Sequence, residues 1–351
     1  MLVSLILALS LAPGMQSLGR SLSRPPPIFC RVDQHQEAEN EEECILAEEA
    51  LAKSLYRRTP DFLERQRKRA QEQVASLEQL DLEPIPDQKP SQALRKALKK
   101  PKGTMAIIGE GAPQRQVSLG GYDLNDPKYI SEQFRTAGAA AVCVRIGGGE
   151  DAFPSLSSDA LSITAKEQQS AKGNFPGPLP VIVRGDIMHE LQLIKAVKDG
   201  ARGVLLSLIL NGPEGTSRLM AEATRIGLEP IVRVADQDEL SIALELNAKI
   251  ICIGDASLEI AGELVAPLRE TDVLTLCDVY SPDVRGSWKV RDLGFNAQIA
   301  SDSILEVCAR DRCPPESVLK AMLMKGSVKY GLGVQKGRLE GAKEWLGDLV
   351  M

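Results

Sequence analysis

Nine side chains able to bind or polarise a ligand stand at the ends of short apolar runs: Arg145, Arg184, Asp186, Arg233, Asp255, Cys277, Asp278, Asp302 and Ser303. Such runs read as strands, and in parallel α/β proteins the residues at their C-terminal ends are the ones that meet ligands. Three arginines among aspartates admit two readings. One is an anion pocket for a phosphate or carboxylate, since a guanidinium makes bidentate hydrogen bonds to both. Its candidate contacts are Arg145, Arg184, Arg233, Asp255, Ser301 and Ser303. The other is a mutually neutralising salt-bridge network that fills a disused site. A guanidinium stays protonated at any working pH, so the arginines can hold an anion but cannot serve as acids. Cys277 would act as a nucleophile only if neighbouring arginines stabilised its thiolate. With no histidine available as its base, a packed structural thiol is the simpler reading.

The two histidines, His35 and His189, lie far apart in the chain, which argues against a histidine-based metal site or relay. His189 opens a helical segment, where capping is the expected role, and Asp236 with Glu239 three residues on has the form of a capping box. Neither a metal nor a cofactor is implied. Seven cysteines form an odd set without a C-x-x-C pair, which does not suggest a disulfide framework.

The elements that must position these side chains show themselves as a repeated phrase. AGAAAVCVRI (137–146), DGARGVLLSL (199–208), LNAKIICIG (246–254) and LGFNAQIAS (293–301) each close a helix with Gly or Asn and continue into an uncharged strand-like run. Helix between strand and strand means parallel pairing, because a crossover must carry the chain back. Strands are predicted at 104–108, 140–146, 179–184, 203–208, 229–234, 249–254, 272–277 and 296–300, with helices at 188–199, 216–226, 237–246 and 316–325 among those between. Eight strand–helix units predict a closed (β/α)8 TIM barrel. A doubly wound open sheet is the alternative, but no G-x-G-x-x-G follows any strand. Gly147–Gly149 lets a loop turn more readily than it would cradle a phosphate.

Four regions follow. Residues 1–35 hold an apolar run at 2–12, too short to span a bilayer, then a Ser- and Arg-rich stretch without acids. This two-part composition points to delivery to a plastid, with a simple secretory signal as the alternative. Residues 36–100 form a helical extension, broken at Pro60, and a Pro-containing linker; residues 101–325 are the barrel. Residues 326–351 are a Gly-rich tail ending in a short amphipathic turn that docks on its own barrel or on a protein partner. Net charge is −6, which implies no general affinity for nucleic acid, and no transmembrane segment is expected in the mature chain. The basic runs at 65–69 and 95–102 read as solvated helix faces.

From about residue 105 to 325 the chain resembles indole-3-glycerol phosphate synthase, in LPVIVRGD (179–186), DGARGVLLSLIL (199–210), GLEPIVRVADQDEL (227–240) and AKIICIGDASL (248–258). The resemblance implies a barrel of the ribulose-phosphate-binding type whose helical prelude contributes to the lid. It implies a lyase of tryptophan biosynthesis that decarboxylates and cyclises an anthranilate-derived ribulose phosphate. The family's residues do not carry over. Its first-strand glutamate and lysine fall on Ile107 and Gly109, its third-strand lysine acid on Arg184, and its fifth-strand glutamate on Arg233. A one-residue slip in the first unit would instead bring Glu110 to the strand end. The sixth-strand asparagine falls on Gly254, the seventh-strand glutamate–serine pair on Leu276 and Cys277, and the eighth-strand phosphate cup on Ser301, Asp302 and Ser303. The expectation is a synthase-like barrel without the parent reaction, serving in binding or assembly. The alternatives are an active synthase with rearranged residues and a different enzyme acting on another phosphorylated substrate.

Overall fold

A computed structural model describes residues 51–324 except 53–54, 102, 112–123, 147–158, 282, 302–303, 305–306 and 309–311. Residues 1–35, in which a targeting sequence is expected, Asp302, Ser303 and the tail at 326–351 therefore lie outside the described residues. The chain divides into units 1–44 and 45–351, and every described residue belongs to the second.

Two helices precede the barrel. Pro60, read from sequence as a break, begins α1 (Pro60–Glu78), since a proline in the first helical turn gives up only an N–H that would have no intrahelical partner. The short α2 (Ala93–Leu98) follows. Then strand and helix alternate: β1 (Ala106–Gly111), α3 (Pro127–Ala137), β2 (Ala141–Arg145), α4 (Ala160–Ser170), β3 (Val181–Arg184), α5 (Glu190–Lys198), β4 (Gly203–Ser207) and α6 (Leu208–Arg225). The second half is β5 (Glu229–Val234), α7 (Gln237–Glu245), β6 (Ile250–Gly254), α8 (Leu258–Val265), β7 (Leu274–Asp278), α9 (Val284–Asp292), β8 (Ala297–Ala300) and α10 (Pro315–Leu323). The strands form one closed barrel in sequence order, with β1 paired in parallel to both β2 and β8. This is the predicted (β/α)8 barrel.

Alternation along each strand sorts side chains onto two faces. Ala106, Ile108, Cys143, Ile182, Leu205, Ile231, Cys252, Leu276 and Ile299 pack together inside the barrel, and Leu94 and Leu98 of α2 join them from below. Ile107, Val142, Val144, Val183, Ile253 and Cys277 pack outward against the helices. The floor is tied down by Glu229 at the start of β5, whose carboxylate accepts the N–H groups of Leu94 (2.8 Å) and Arg95 (3.0 Å). On the outer face, a Cβ at Gly109 would lie 2.4 Å from Phe134 Cδ2, so the helix α3 can approach β1 only because residue 109 has no side chain. Gly109→Val is therefore expected to destabilise the fold by about 1–3 kcal/mol or more. Urea unfolding checks this, and a midpoint unchanged from wild type would contradict the packing described.

Candidate functional site

At the C-terminal ends of the strands, charged side chains replace the apolar interior. Each inward position there follows from the period of two. Glu110 continues the face of Ala106 and Ile108, Arg145 that of Cys143, Arg184 that of Ile182, Arg233 that of Ile231, and Asp278 that of Leu276. Asp255 stands one residue beyond β6, in a left-handed conformation at φ 53°.

These residues form a chain of alternating sign. Arg145 is paired with Glu110, whose other oxygen accepts from Arg184 Nη1 at 3.2 Å. Arg184 grips Asp278 in a fork, Nη1 to Oδ1 at 3.0 Å and Nη2 to Oδ2 at 2.8 Å. The same Oδ2 accepts from Arg233 Nε (3.0 Å) and Nη2 (2.9 Å), and Arg233 is also paired with Asp255. Arg57, which precedes α1, closes the sequence on Asp255 at 3.5 Å. Four guanidiniums thus meet three carboxylates among the described residues.

Burial makes this arrangement rigid and chemically quiet. Desolvation alone would raise the Glu110 carboxyl, which is fully buried, but Arg145 and Arg184 outweigh it and hold it below the usual range. Asp278 is treated the same way: burial pushes up, Arg184 and Arg233 pull down harder, and the result is about 2. Both are ionised at neutral pH and lie far from the pKa near working pH that suits a general acid or base. Arg184 is destabilised by burial yet held well above its ordinary value by Asp278 and Glu110. Burial pushes the Cys143 and Cys252 thiols up, and that of Cys277 to about 12. None is poised as a thiolate.

The structure moves several sequence-assigned positions. Ile107 and Gly109 face the helices, so the inward pair on β1 is Ile108 and Glu110. Cys277 likewise belongs to the outer core, and Asp278 takes the mouth position at the end of β7. Arg145, Arg184, Arg233 and Asp255 converge as expected. Ser301 follows β8 and is half-buried, and its backbone oxygen accepts from Ile304 N at 3.2 Å. Gly254 has a specific reason to be glycine, since a Cβ there would lie 2.8 Å from Arg233 Nη2 and 3.0 Å from Nε. The guanidinium occupies the space into which a side chain at 254 would project.

Sequence reasoning expected the helical prelude near this end but missed the side chains that fasten it there. Arg58 reaches Asp236 (2.7 Å) and Glu239 (2.8 Å), while Gln66 (2.7 Å) and Arg69 (3.2 Å) reach Asp186 after β3. Burial raises the Asp186 carboxyl, against the opposing pull of Arg69. Asp236 caps α7 through Glu239 N at 2.9 Å, and Glu239 accepts from Ala235 N at 2.9 Å, one residue outside the box expected. His189 Nδ1 accepts from Leu191 N at 3.2 Å and caps α5. No helix among the described residues is long and apolar enough to cross a membrane.

Fold and mouth together define a (β/α)8 barrel with an N-terminal cover. A family profile described as indole-3-glycerol phosphate synthase matches residues 60–262. The chain belongs to that family. It is 28% identical over 188 residues to the indole-3-glycerol phosphate synthase of Listeria welshimeri, a match covering 53% of this chain and 69% of the relative. The synthase of Listeria monocytogenes serovar 1/2a is 27% identical over 190 residues (54% and 70%), and that of Bacillus cereus 28% over 181 (50% and 63%). The matched segments thus span about two thirds of these relatives' length.

Two outcomes test the network. Asp278→Asn takes the shared carboxylate from two buried guanidiniums, leaving Arg184 to Glu110 and Arg233 to Asp255, and is expected to cost on the order of 2–3 kcal/mol at pH 7. Because the folded carboxyl sits at about 2 against an ordinary 3.8, its contribution is complete above pH 4 to 5 and is lost as pH falls through about 2. Urea melts across that range should show a shallower acid limb in the variant than in wild type. For the second, Gly254→Ala should destabilise the native protein but cost much less in an Arg233→Met background, a double-mutant coupling on the order of 1 kcal/mol.

Proposed function

We propose that this chain is a synthase-family barrel that no longer performs the decarboxylating ring closure and instead acts as a binding or assembly protein in the plastid. The observation that supports it is the fate of the two proton-handling positions on β3 and β5. Both are arginines, Arg184 and Arg233, and both are spent on one buried carboxylate, Asp278. The family reaction needs a lysine acid and carboxylate bases aimed inward. No lysine stands on an inward position at the top of the described strands, and the carboxylates present are fully committed to guanidiniums. Removing one acid or base typically forfeits ~10²- to 10⁴-fold in rate, and several are replaced.

An active synthase with rearranged residues has one observation in its favour, the inward position of Glu110. Its pairing with Arg145 and Arg184 weighs against it, because a carboxylate held ionised below its usual range is a weak base and no acid. Plastid delivery is supported by the two-part composition of residues 1–35, and a partner role for residues 326–351 by their terminal apolar turn.

Purified chain should show no indole-glycerol phosphate formation from the anthranilate-derived ribulose phosphate, and should not rescue a tryptophan auxotroph lacking the synthase. Turnover that disappears in Arg184→Ala would overturn the proposal. A fluorescent fusion of residues 1–50 is expected in plastids, and its secretion would favour the alternative address.

A further inference from the structure

The opposite end of the barrel carries a concave site that the family reading does not use. Arg95, Lys96, Lys99 and Lys100, on and just after α2, line a cavity of about 410 Å³ with Arg269, which follows α8. Asp272 is the one carboxylate in its wall. The position is set by the fold, because α2 precedes β1 while Asp272 to Leu274 and Asn296 stand at the N-terminal ends of β7 and β8.

Exposed cations on a helix are usually a solvated face. Three observations separate this cluster from that case. First, none of the five cations makes an ion pair with another described residue, and unlike the scattered surface lysines that share this property, such as Lys128 and Lys172, all five line one cavity. In a chain of net charge −6, that leaves a local excess of positive charge without internal compensation.

Second, the cations are mounted on rigid parts. The other face of α2 presents Leu94 and Leu98, both fully buried in the barrel floor, and its first amides are taken by Glu229. Arg269 lies against Gly294, where a Cβ would come 2.9 Å from its Nε. Third, the wall holds an oriented donor. Asn296 Oδ1 accepts from Thr275 N (2.8 Å) and Oγ1 (3.1 Å), which leaves its amide NH2 as the end with no hydrogen bond among the described residues. Leu268, Val273 and Leu274 supply an apolar patch beside these donors.

We propose that this floor cavity binds a small organic phosphate carrying at least two negative charges, with its non-phosphate part against Leu268, Val273 and Leu274. Cationic and amide donors suit a ligand with many acceptor oxygens. The volume falls in the range of small-molecule sites, roughly 300–1,000 Å³. The site is independent of the mouth and of whether the parent reaction survives.

Calorimetry of the full chain with inorganic pyrophosphate, and then with ADP, tests the proposal. Pyrophosphate should bind and ADP should bind more tightly. The triple variant Lys96→Glu/Lys99→Glu/Arg269→Glu, which touches only side chains without internal ion pairs, should keep the wild-type melting temperature and lose roughly tenfold or more in affinity for both. Absence of binding by wild type at millimolar ligand overturns the proposal, and equal binding by the triple variant places the anion elsewhere and overturns it too. If the variant unfolds, Lys99→Gln with Lys96→Gln gives the same comparison at neutral charge. A polyglutamate peptide that binds where the phosphates do not would assign the surface to acidic protein and likewise overturn it.

Discussion

Asp278 lies between Arg184 and Arg233 in a part of the barrel where water is largely excluded, and most of the mouth follows from the need to keep that carboxylate and those guanidiniums together. A lone ion there would cost several kcal/mol of lost hydration, so each charge must have an opposite neighbour. Arg184 cannot point inward from β3 without Asp278 on one side and Glu110 on the other. Arg233 needs Asp255 as well as Asp278, and Asp255 in turn draws in Arg57 from outside the barrel. The same desolvation that threatens the charges strengthens their attraction once paired, which is why the carboxyls stay ionised in spite of burial.

Beneath this layer the barrel is an ordinary apolar core. Ile108, Ile182, Ile231 and Ile299 separate the charged mouth from the plug made by Leu94 and Leu98. The two ends can therefore differ in character without disturbing each other. At the mouth, four guanidiniums and three carboxylates are paired with one another within the protein. At the floor, Glu229 neutralises the start of α2 from below, while the lysines beyond it have no carboxylate of their own among the described residues.

Much of this was legible in the sequence, and the failures have one geometric cause. The helix-end glycines and uncharged runs marked eight parallel strands, and for β3, β5 and β6 the predicted ends agree with the structure to the residue, so Arg184, Arg233 and Gly254 fell on the correct face. For β1 the predicted strand stopped three residues short, and for β7 one residue short. Because the side-chain period of a strand is two, family positions placed one residue off fall on the opposite face. On β1, Ile107 and Gly109 therefore took the place of the inward pair Ile108 and Glu110, and on β7 Cys277 was set beside Asp278 at the mouth although it faces the helices. The alternation Leu274, Leu276, Asp278 was available as a corrective signal. Arg57 and Arg58 offered none, since their partners lie 178 to 198 residues away and only the closed fold brings them together.

Gly254 makes two neighbouring strands of the mouth answerable to each other. A side chain at 254 and the Arg233 guanidinium compete for the same space, and removing Arg233 would leave Asp255 to Arg57 and Asp278 to Arg184. The two positions therefore vary as a unit: a larger residue at 254 is accommodated most readily beside a smaller one at 233, so what either strand end can tolerate depends on the other.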